Sequence, residues 1–162
     1  MPSTYLHISL TKQRLELRKQ AAVCFSAPVS TALNGPGEVI GSGCTPRGKL
    51  RIRLKIGAGC PLHTVFVGRR PTGEIYTPDL AARYPARDWI LTRILWLDGL
   101  ELGKNRAGPV DTLRRFIYIH GCPPHTDFSR PSSHGCVRMR NTALLTLFEQ
   151  VENGTLVWIT DD

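Results

Sequence analysis

The most regular pattern in the chain lies at residues 49–56, where Leu50, Ile52, Leu54 and Ile56 alternate with Arg51, Arg53 and Lys55. A period of two predicts a half-buried strand with a basic outer face. Residues 5–10 and 14–18 flank Thr11-Lys12-Gln13 and predict a hairpin. Residues 65–67, 75–76 and 89–97 predict further strands. Residues 116–120 predict a short buried strand ending in a polar residue, and residues 156–159 a closing one. One late segment carries the helical period instead: Leu144, Leu145, Phe148 and Val151, with Asn141 placed to cap the helix and Gly154 to stop it. Turn signals fall at Asn34-Gly35-Pro36-Gly37, Thr45-Pro46-Arg47-Gly48, Pro71-Thr72-Gly73 and Pro123-Pro124. The expected fold is mainly β, a single domain over residues 1–162 with one late amphipathic helix and no repeat or linker.

Composition narrows the class. A chain of 162 residues buries about two-thirds of its unfolded surface and needs no staple. With 41% hydrophobic and 21% charged residues, wholesale disorder is excluded, and 15 Gly plus 12 Pro disfavour a helix bundle. A net charge of +8 admits nucleic acid, a membrane surface or an acidic small substrate as partner. The basic residues form short clusters, such as Arg51/Arg53/Lys55, Arg69/Arg70, Arg114/Arg115 and Arg138/Arg140, and no basic tail. A nucleic-acid module would need stacking aromatics beside the basic strand, and that strand has none, so no nucleic-acid partner is expected. The best apolar run, residues 89–102, is broken by Arg93, Asp98 and Glu101, so no membrane span is expected. The first residues show no basic segment followed by an apolar one, and the five Cys lack framework spacing. Both features lead to the expectation of a cytoplasmic protein in a reducing compartment.

Reactive residues concentrate at positions 117–140, which hold three of the five His and two of the five Cys. They follow a predicted buried strand and precede the predicted helix, where a loop on a rigid scaffold can aim side chains. A thiol needs a base or a positive neighbour to act as a nucleophile. For Cys136 the candidate bases are His134 and His120, the latter held at a strand end. Gly135 permits a tight turn that can aim successive backbone N–H groups at one point, as an oxyanion hole requires. Arg138 shares the face of Cys136 on an extended backbone and can bind a carboxylate. Against this, Cys24, Cys44 and Cys60 read as inert buried thiols, His7 and His63 as structural or surface residues, and Trp89, Trp96 and Trp158 as core. His125 reads as a loop residue, and Cys122 is open. His120, Cys122, His125, His134 and Cys136 would suffice as zinc ligands, leaving a zinc-binding module as a minor alternative. The paired C-x2-C knuckles of a structural zinc site are missing, so no metal or other cofactor is expected.

The segment Ser133-His134-Gly135-Cys136-Val137-Arg138-Met139, preceded by Ile119-His120-Gly121, resembles the signature of the L,D-transpeptidase family with its YkuD-type catalytic domain. The likeness extends through residues 8–17 with Gln13, Pro28-Val29-Ser30-Thr31, the Thr45-Pro46-Arg47-Gly48 turn, and the late helix, Gly154-Thr155 and last strand. It implies a β-sandwich-like domain of mixed sheets. It further implies cysteine acyl transfer on peptidoglycan stem peptides, at the bond between the diamino acid and D-Ala. Cys136 would be the nucleophile and His120 the base, oriented by the Gly121 carbonyl. His134, Gly135 and Cys136 would supply the oxyanion donors, and Ser133 and Arg138 would contact substrate. Small members without an export signal resemble cytoplasmic L,D-carboxypeptidases of peptidoglycan recycling. Hydrolysis of a peptidoglycan tetrapeptide or muropeptide is therefore the favoured expectation, and transpeptidation or exchange of D-amino acids the alternative. The resemblance also implies acylation of Cys136 by carbapenem-type β-lactams. Position 122 departs from it: Cys stands where the family commonly has Thr or Ser, which raises a Cys122–Cys136 disulfide as an oxidative off-switch.

Overall fold

The computed structural model describes residues 2–162. The hairpin forms as β1 (Thr4–Ser9) and β2 (Arg14–Lys19), and β3 (Ala22–Ser30) adds antiparallel to β2. β4 (Gly48–Ile56) is the basic alternating strand. β5 (Thr64–Val67) and β6 (Arg70–Ile75) make a second hairpin. A short helix, α1 (Pro78–Arg83), is capped by the Thr77 hydroxyl, which accepts from the Leu80 N–H at 3.1 Å. β7 (Ile90–Gly99), β8 (Tyr118–Gly121), β9 (Val137–Met139), α2 (Asn141–Gln150) and β10 (Leu156–Thr160) complete the chain. Among the described residues no helix is long and apolar enough to cross a membrane.

The strand order β4-β10-β1-β2-β3-β9-β8-β7-β5-β6 carries an extra β4–β7 pairing. The sheet therefore runs from β4 round to β7 and closes on itself, with β5 and β6 flaring from β7. It is mixed: β1 pairs with β10, and β8 with β9, in parallel, whereas the other named pairings are antiparallel. Inward positions make the main core. Leu6, Ile8, Leu15, Leu17, Leu50, Ile52, Leu95, Leu97, Ile119, Val137, Val157 and Ile159 pack there with Leu144, Leu147 and Phe148 of α2. Burial of this apolar surface is the chief term favouring the fold.

Several sequence expectations need correction. The alternation in β4 fails after Ile52, because a register shift between Ile52 and Leu54 sets Ile52 opposite Leu97 but Leu54 opposite Trp96. The extra residue turns Leu54 outward, 42% exposed. Phe116 lies before β8, not in it, with φ 56 and half its surface exposed. Asn141 is the first residue of α2 and does not cap it; the cap residue is Arg140, which makes no side-chain cap bond. The Asn141 side chain turns inward, where Oδ1 accepts from the Thr92 hydroxyl at 2.6 Å and Nδ2 donates to the Cys122 carbonyl at 2.8 Å. The helix ends at Gln150, and Gly154 (φ +93) serves the following turn into β10. Cys24 is exposed, Cys44 and Cys60 are part-buried, and Trp96 and Trp158 are only half-buried. Part of the basic face of β4 is engaged within the protein, where Arg51 pairs with Asp98 at 3.0 Å and Lys55 donates to the Val151 carbonyl at 2.9 Å, while Arg53 is exposed as expected.

Candidate active site

The parallel pairing of β8 and β9 sets Ile119 opposite Val137, His120 opposite Arg138 and Gly121 opposite Met139. One step back along this ladder, Cys136 lies beside Tyr118. The Tyr118 N–H donates to Cys136 Sγ at 3.3 Å, and the thiol donates to the Phe116 carbonyl at 3.4 Å. Alternate residues of a strand share a face. Tyr118 and His120 on one strand, with Cys136 and Arg138 along the other, consequently line one cavity of about 250 Å³, together with Asp88, Arg115, Ser133 and His134.

His120 is 1% exposed. Its Nδ1 stands 2.6 Å from the Gly121 carbonyl oxygen. A carbonyl can only accept, so Nδ1 carries the proton and Nε2 is left as the basic atom of the neutral ring. Burial pushes this imidazole below its ordinary pKa; the Gly121 carbonyl and Asp88 oppose the shift, and Arg138 adds to it. Burial likewise drives the Cys136 thiol up to about 12, with Asp88 adding to the rise and the Tyr118 N–H, Arg138 and Arg115 opposing it. Part of the cysteine residue stays exposed, but its sulfur sits under the packed Tyr118 and Phe116 backbone. At neutral pH the resting site therefore holds a thiol and a neutral imidazole. A neutral pair of this kind would move its proton only as the sulfur attacked an electrophile.

The turn that delivers Cys136 is held from both sides. Gly135 adopts φ +136, and a Cβ there would meet Ile117 Cδ1 at 3.1 Å and the Cys44 carbonyl oxygen at 3.2 Å. Only glycine suits both the conformation and the space. The Ser133 hydroxyl accepts from the Gly135 N–H at 3.2 Å and donates to the Cys136 carbonyl at 2.5 Å. The buried Thr45 hydroxyl accepts from the Ala32 N–H at 3.0 Å and donates to the Gly135 carbonyl at 2.8 Å. Arg115 braces the neighbouring loop by donating to the Cys44 carbonyl at 2.6 Å.

The structure thus brings together Cys136, His120, Gly121, Ser133, His134, Gly135 and Arg138, with differing duties. Ser133 lines the cavity, but its hydroxyl is committed inside the turn. The Gly135 N–H is engaged by Ser133, so of the expected oxyanion donors it is the one already satisfied. His134 stands exposed at the rim. Cys122 is buried and donates to the Met139 carbonyl at 3.2 Å. The parallel register places it about 13 Å along the strand from Cys136. A disulfide needs Cα atoms within about 7 Å, so this pair cannot form one without a large backbone movement. No group of three or more His, Cys, Asp or Glu converges as a metal site among the described residues.

Sequence reasoning missed three contributors. Asp88 enters the cavity from the segment before β7 and pairs with Arg138 at 3.3 Å. Arg115 and Thr45 act on the loops that carry the turn. The Thr45 turn signal was visible in the sequence; Asp88 left no local pattern.

The model of the YkuD L,D-transpeptidase catalytic domain matches residues 3–159. The chain belongs to the YkuD family of L,D-transpeptidase catalytic domains. No curated protein matches it in sequence. Solved structures share the fold of this YkuD domain. An L,D-transpeptidase from Enterococcus faecium, in a cysteine-to-serine mutant form, is 16% identical with a TM-score of 0.58, over 99% of this chain and 50% of that one. An L,D-transpeptidase from Xylanimonas cellulosilytica is 19% identical with a TM-score of 0.55, over 98% of this chain and 60% of that one. An L,D-transpeptidase in complex with imipenem is 15% identical with a TM-score of 0.57, over 98% of this chain and 59% of that one. This YkuD domain spans about half the length of the first listed relatives, whose matched chains are covered to 50%.

Proposed function

We propose that this YkuD-family domain is an L,D-carboxypeptidase that removes D-Ala from peptidoglycan tetrapeptides, acting on soluble muropeptides in the cytoplasm during cell-wall recycling. The observation that supports acyl transfer, the step common to hydrolysis and transpeptidation, is the β8–β9 register, which puts His120, with its Nδ1 proton held by Gly121, and Cys136 on one cavity wall. His120 Nε2 takes the thiol proton as Sγ bonds to the carbonyl carbon of the diaminopimelate residue. The amides of His134 and Cys136 donate to the resulting oxyanion. As the C–N bond breaks, the imidazolium returns the proton to the D-Ala nitrogen, leaving a thioester on Cys136. His120 then takes a proton from water, whose oxygen attacks the thioester, and the returning proton releases the tripeptide and the free thiol.

The cavity of about 250 Å³ suits a short peptide end. The net charge of +8 attracts a ligand with several carboxylates. Carbapenem-type β-lactams should acylate the same sulfur; among proteins of this fold, one has been seen with imipenem and another as an avibactam carbamoyl enzyme. Incubation with a diaminopimelate tetrapeptide, with and without an acceptor tetrapeptide, followed by mass spectrometry, tests the proposal. Tripeptide plus D-Ala is the expected product in both arms. A cross-linked dimer as the main product would replace the hydrolytic reading with transpeptidation, the same acyl-enzyme being passed to an amine.

A further inference from the structure

We propose that Asp88 is a specificity residue that, with Arg138, reads a zwitterionic α-amino-acid head at the end of the acyl donor's side chain. This rests on the acyl-transfer reading above and adds to it a reason for diaminopimelate over lysine. Among the described residues lining the thiol cavity, Asp88 alone carries a carboxylate. Its Oδ1 lies 3.3 Å from Arg138 Nη2, so a negative and a positive group sit side by side at the cavity wall. Both also line an adjoining trough of about 340 Å³.

The two partners are not equally free. Arg138 Nη1 donates to the carbonyl and hydroxyl oxygens of Ser132, at 3.3 and 3.1 Å, and the Ser132 hydroxyl is within 2.9 Å of that of Ser30. The guanidinium is thereby fixed, and its side chain is 18% exposed. Asp88 has 52% of its side chain exposed, and its contact with Arg138 is a single one. A pair of this kind contributes little on its own, so it can open to a ligand that offers a carboxylate to Arg138 and an ammonium to Asp88.

The spacing agrees with the chemistry. The backbone positions of Arg138 and Cys136 are two residues apart on the same strand face, about 6.6 Å along the strand. A scissile carbonyl held at Cys136 leaves the donor's side chain to run along β9, and three methylenes bridge a distance of that order. Diaminopimelate ends there in an ammonium and a carboxylate on one carbon. Lysine is the same side chain without that carboxylate, and 2-aminopimelate the same without that ammonium. Each therefore removes one half of the match.

The test uses the Cys136→Ala protein, in which binding is read without turnover, and calorimetry with tetrapeptides carrying diaminopimelate, lysine or 2-aminopimelate at the third position. The diaminopimelate peptide should bind at least about tenfold more tightly than either of the others, as expected for one charge-assisted hydrogen bond lost. Adding Asp88→Asn should bring the diaminopimelate peptide down to the affinity of the 2-aminopimelate peptide. It should leave the 2-aminopimelate affinity nearly unchanged, a pattern that a general loosening of the site would not give. Equal binding of all three peptides, no binding of any, or an equal loss for all three on Asp88→Asn overturns the proposal. Cys136→Ser serves in the same assay should the alanine protein fail to fold. Turnover of the diaminopimelate tetrapeptide by the unaltered protein is measured separately. An enzyme that trims all three peptides equally refutes only the role of Asp88, whereas one that trims none refutes the acyl-transfer reading.

Discussion

The neutral resting state of Cys136 can be tested directly by alkylation. A thiol whose pKa is about 12 is ionised at pH 7 in about one molecule in 10⁵, against about 3% for a free thiol near 8.5. The ionised fraction therefore falls by about 3,000-fold, while the more basic thiolate regains about 40-fold in nucleophilicity at a Brønsted slope near 0.45. The net result is iodoacetamide alkylation of Cys136 about 100-fold slower than that of a free cysteine. The rate should climb about tenfold per pH unit, without levelling below about pH 11. Peptide mass mapping across pH 6–11 separates Cys136 from the exposed Cys24, which serves as an internal reference. His120→Ala should leave this alkylation nearly unchanged while abolishing turnover, because the imidazole acts only once substrate is bound. A rate that levels off with a midpoint below pH 8 would refute the reasoning, since it would show a thiolate–imidazolium pair already formed in the free protein.

Other outcomes follow from the same contacts. Thr45→Val keeps the shape of a buried side chain but strips hydrogen bonds from the Ala32 N–H and the Gly135 carbonyl. It should cost about 2–4 kcal/mol, read as a lower urea midpoint at unchanged m-value, and should lower kcat more than it raises KM; Thr45→Ser should restore both. Gly135→Ala, which forces a Cβ against Ile117 and the Cys44 carbonyl at positive φ, should abolish activity, and full activity in this variant would show that the turn is looser than described. Stability should fall on both sides of neutrality. Below about pH 6.5 the unfolded chain protonates His120 while the folded one, with its lowered pKa, does not. Between about pH 9 and 12 the folded chain keeps the Cys136 proton that the unfolded chain has lost. Urea midpoints from pH 4 to 11 check this, and Cys136→Ala should make the alkaline limb shallower without changing the acid one, the rest of the alkaline loss coming from the Cys122 thiol and Tyr118 hydroxyl that burial also pushes up.

What could be read from the sequence was what is local in the chain. Leu50 and Ile52 of β4, and Leu144 and Phe148 of α2, face the core because period and burial agree there. That His120 and Cys136 line one cavity was legible because a short motif and a strand-ending His bracket one loop, although the residues alone left His134 open as the base and the family resemblance favoured His120. What escaped was set by partners distant in sequence. β3 alternates Val23, Phe25, Ala27 and Val29 with Cys24, Ser26, Pro28 and Ser30, but Pro28 inside the run argues against a strand, and the ladder that β2 supplies is what makes it one. Asn141 looked like a cap because that is the common local use of Asn; a buried hydroxyl on Thr92 and a carbonyl on Cys122 took its amide instead. Asp88 belongs to the site only because the fold sets it beside Arg138, fifty residues away in sequence. The outward turn of Leu54 depends on a bulge that only the opposing β7 reveals.

The ring formed by β4 and β7 also bears on how this protein behaves when crowded. Closing a sheet removes the unpaired ladders that would otherwise recruit a neighbouring chain. β6, hydrogen-bonded to β5 alone, ends the strand order on its side. Its sequence blunts the hazard: Pro71 has no N–H to offer, Gly73 breaks the run, and Arg70 and Glu74 add charge. Replacing Arg70 and Pro71 together with valine would leave this edge apolar and restore the missing N–H, and light scattering at high concentration should then show more association than for the unaltered chain.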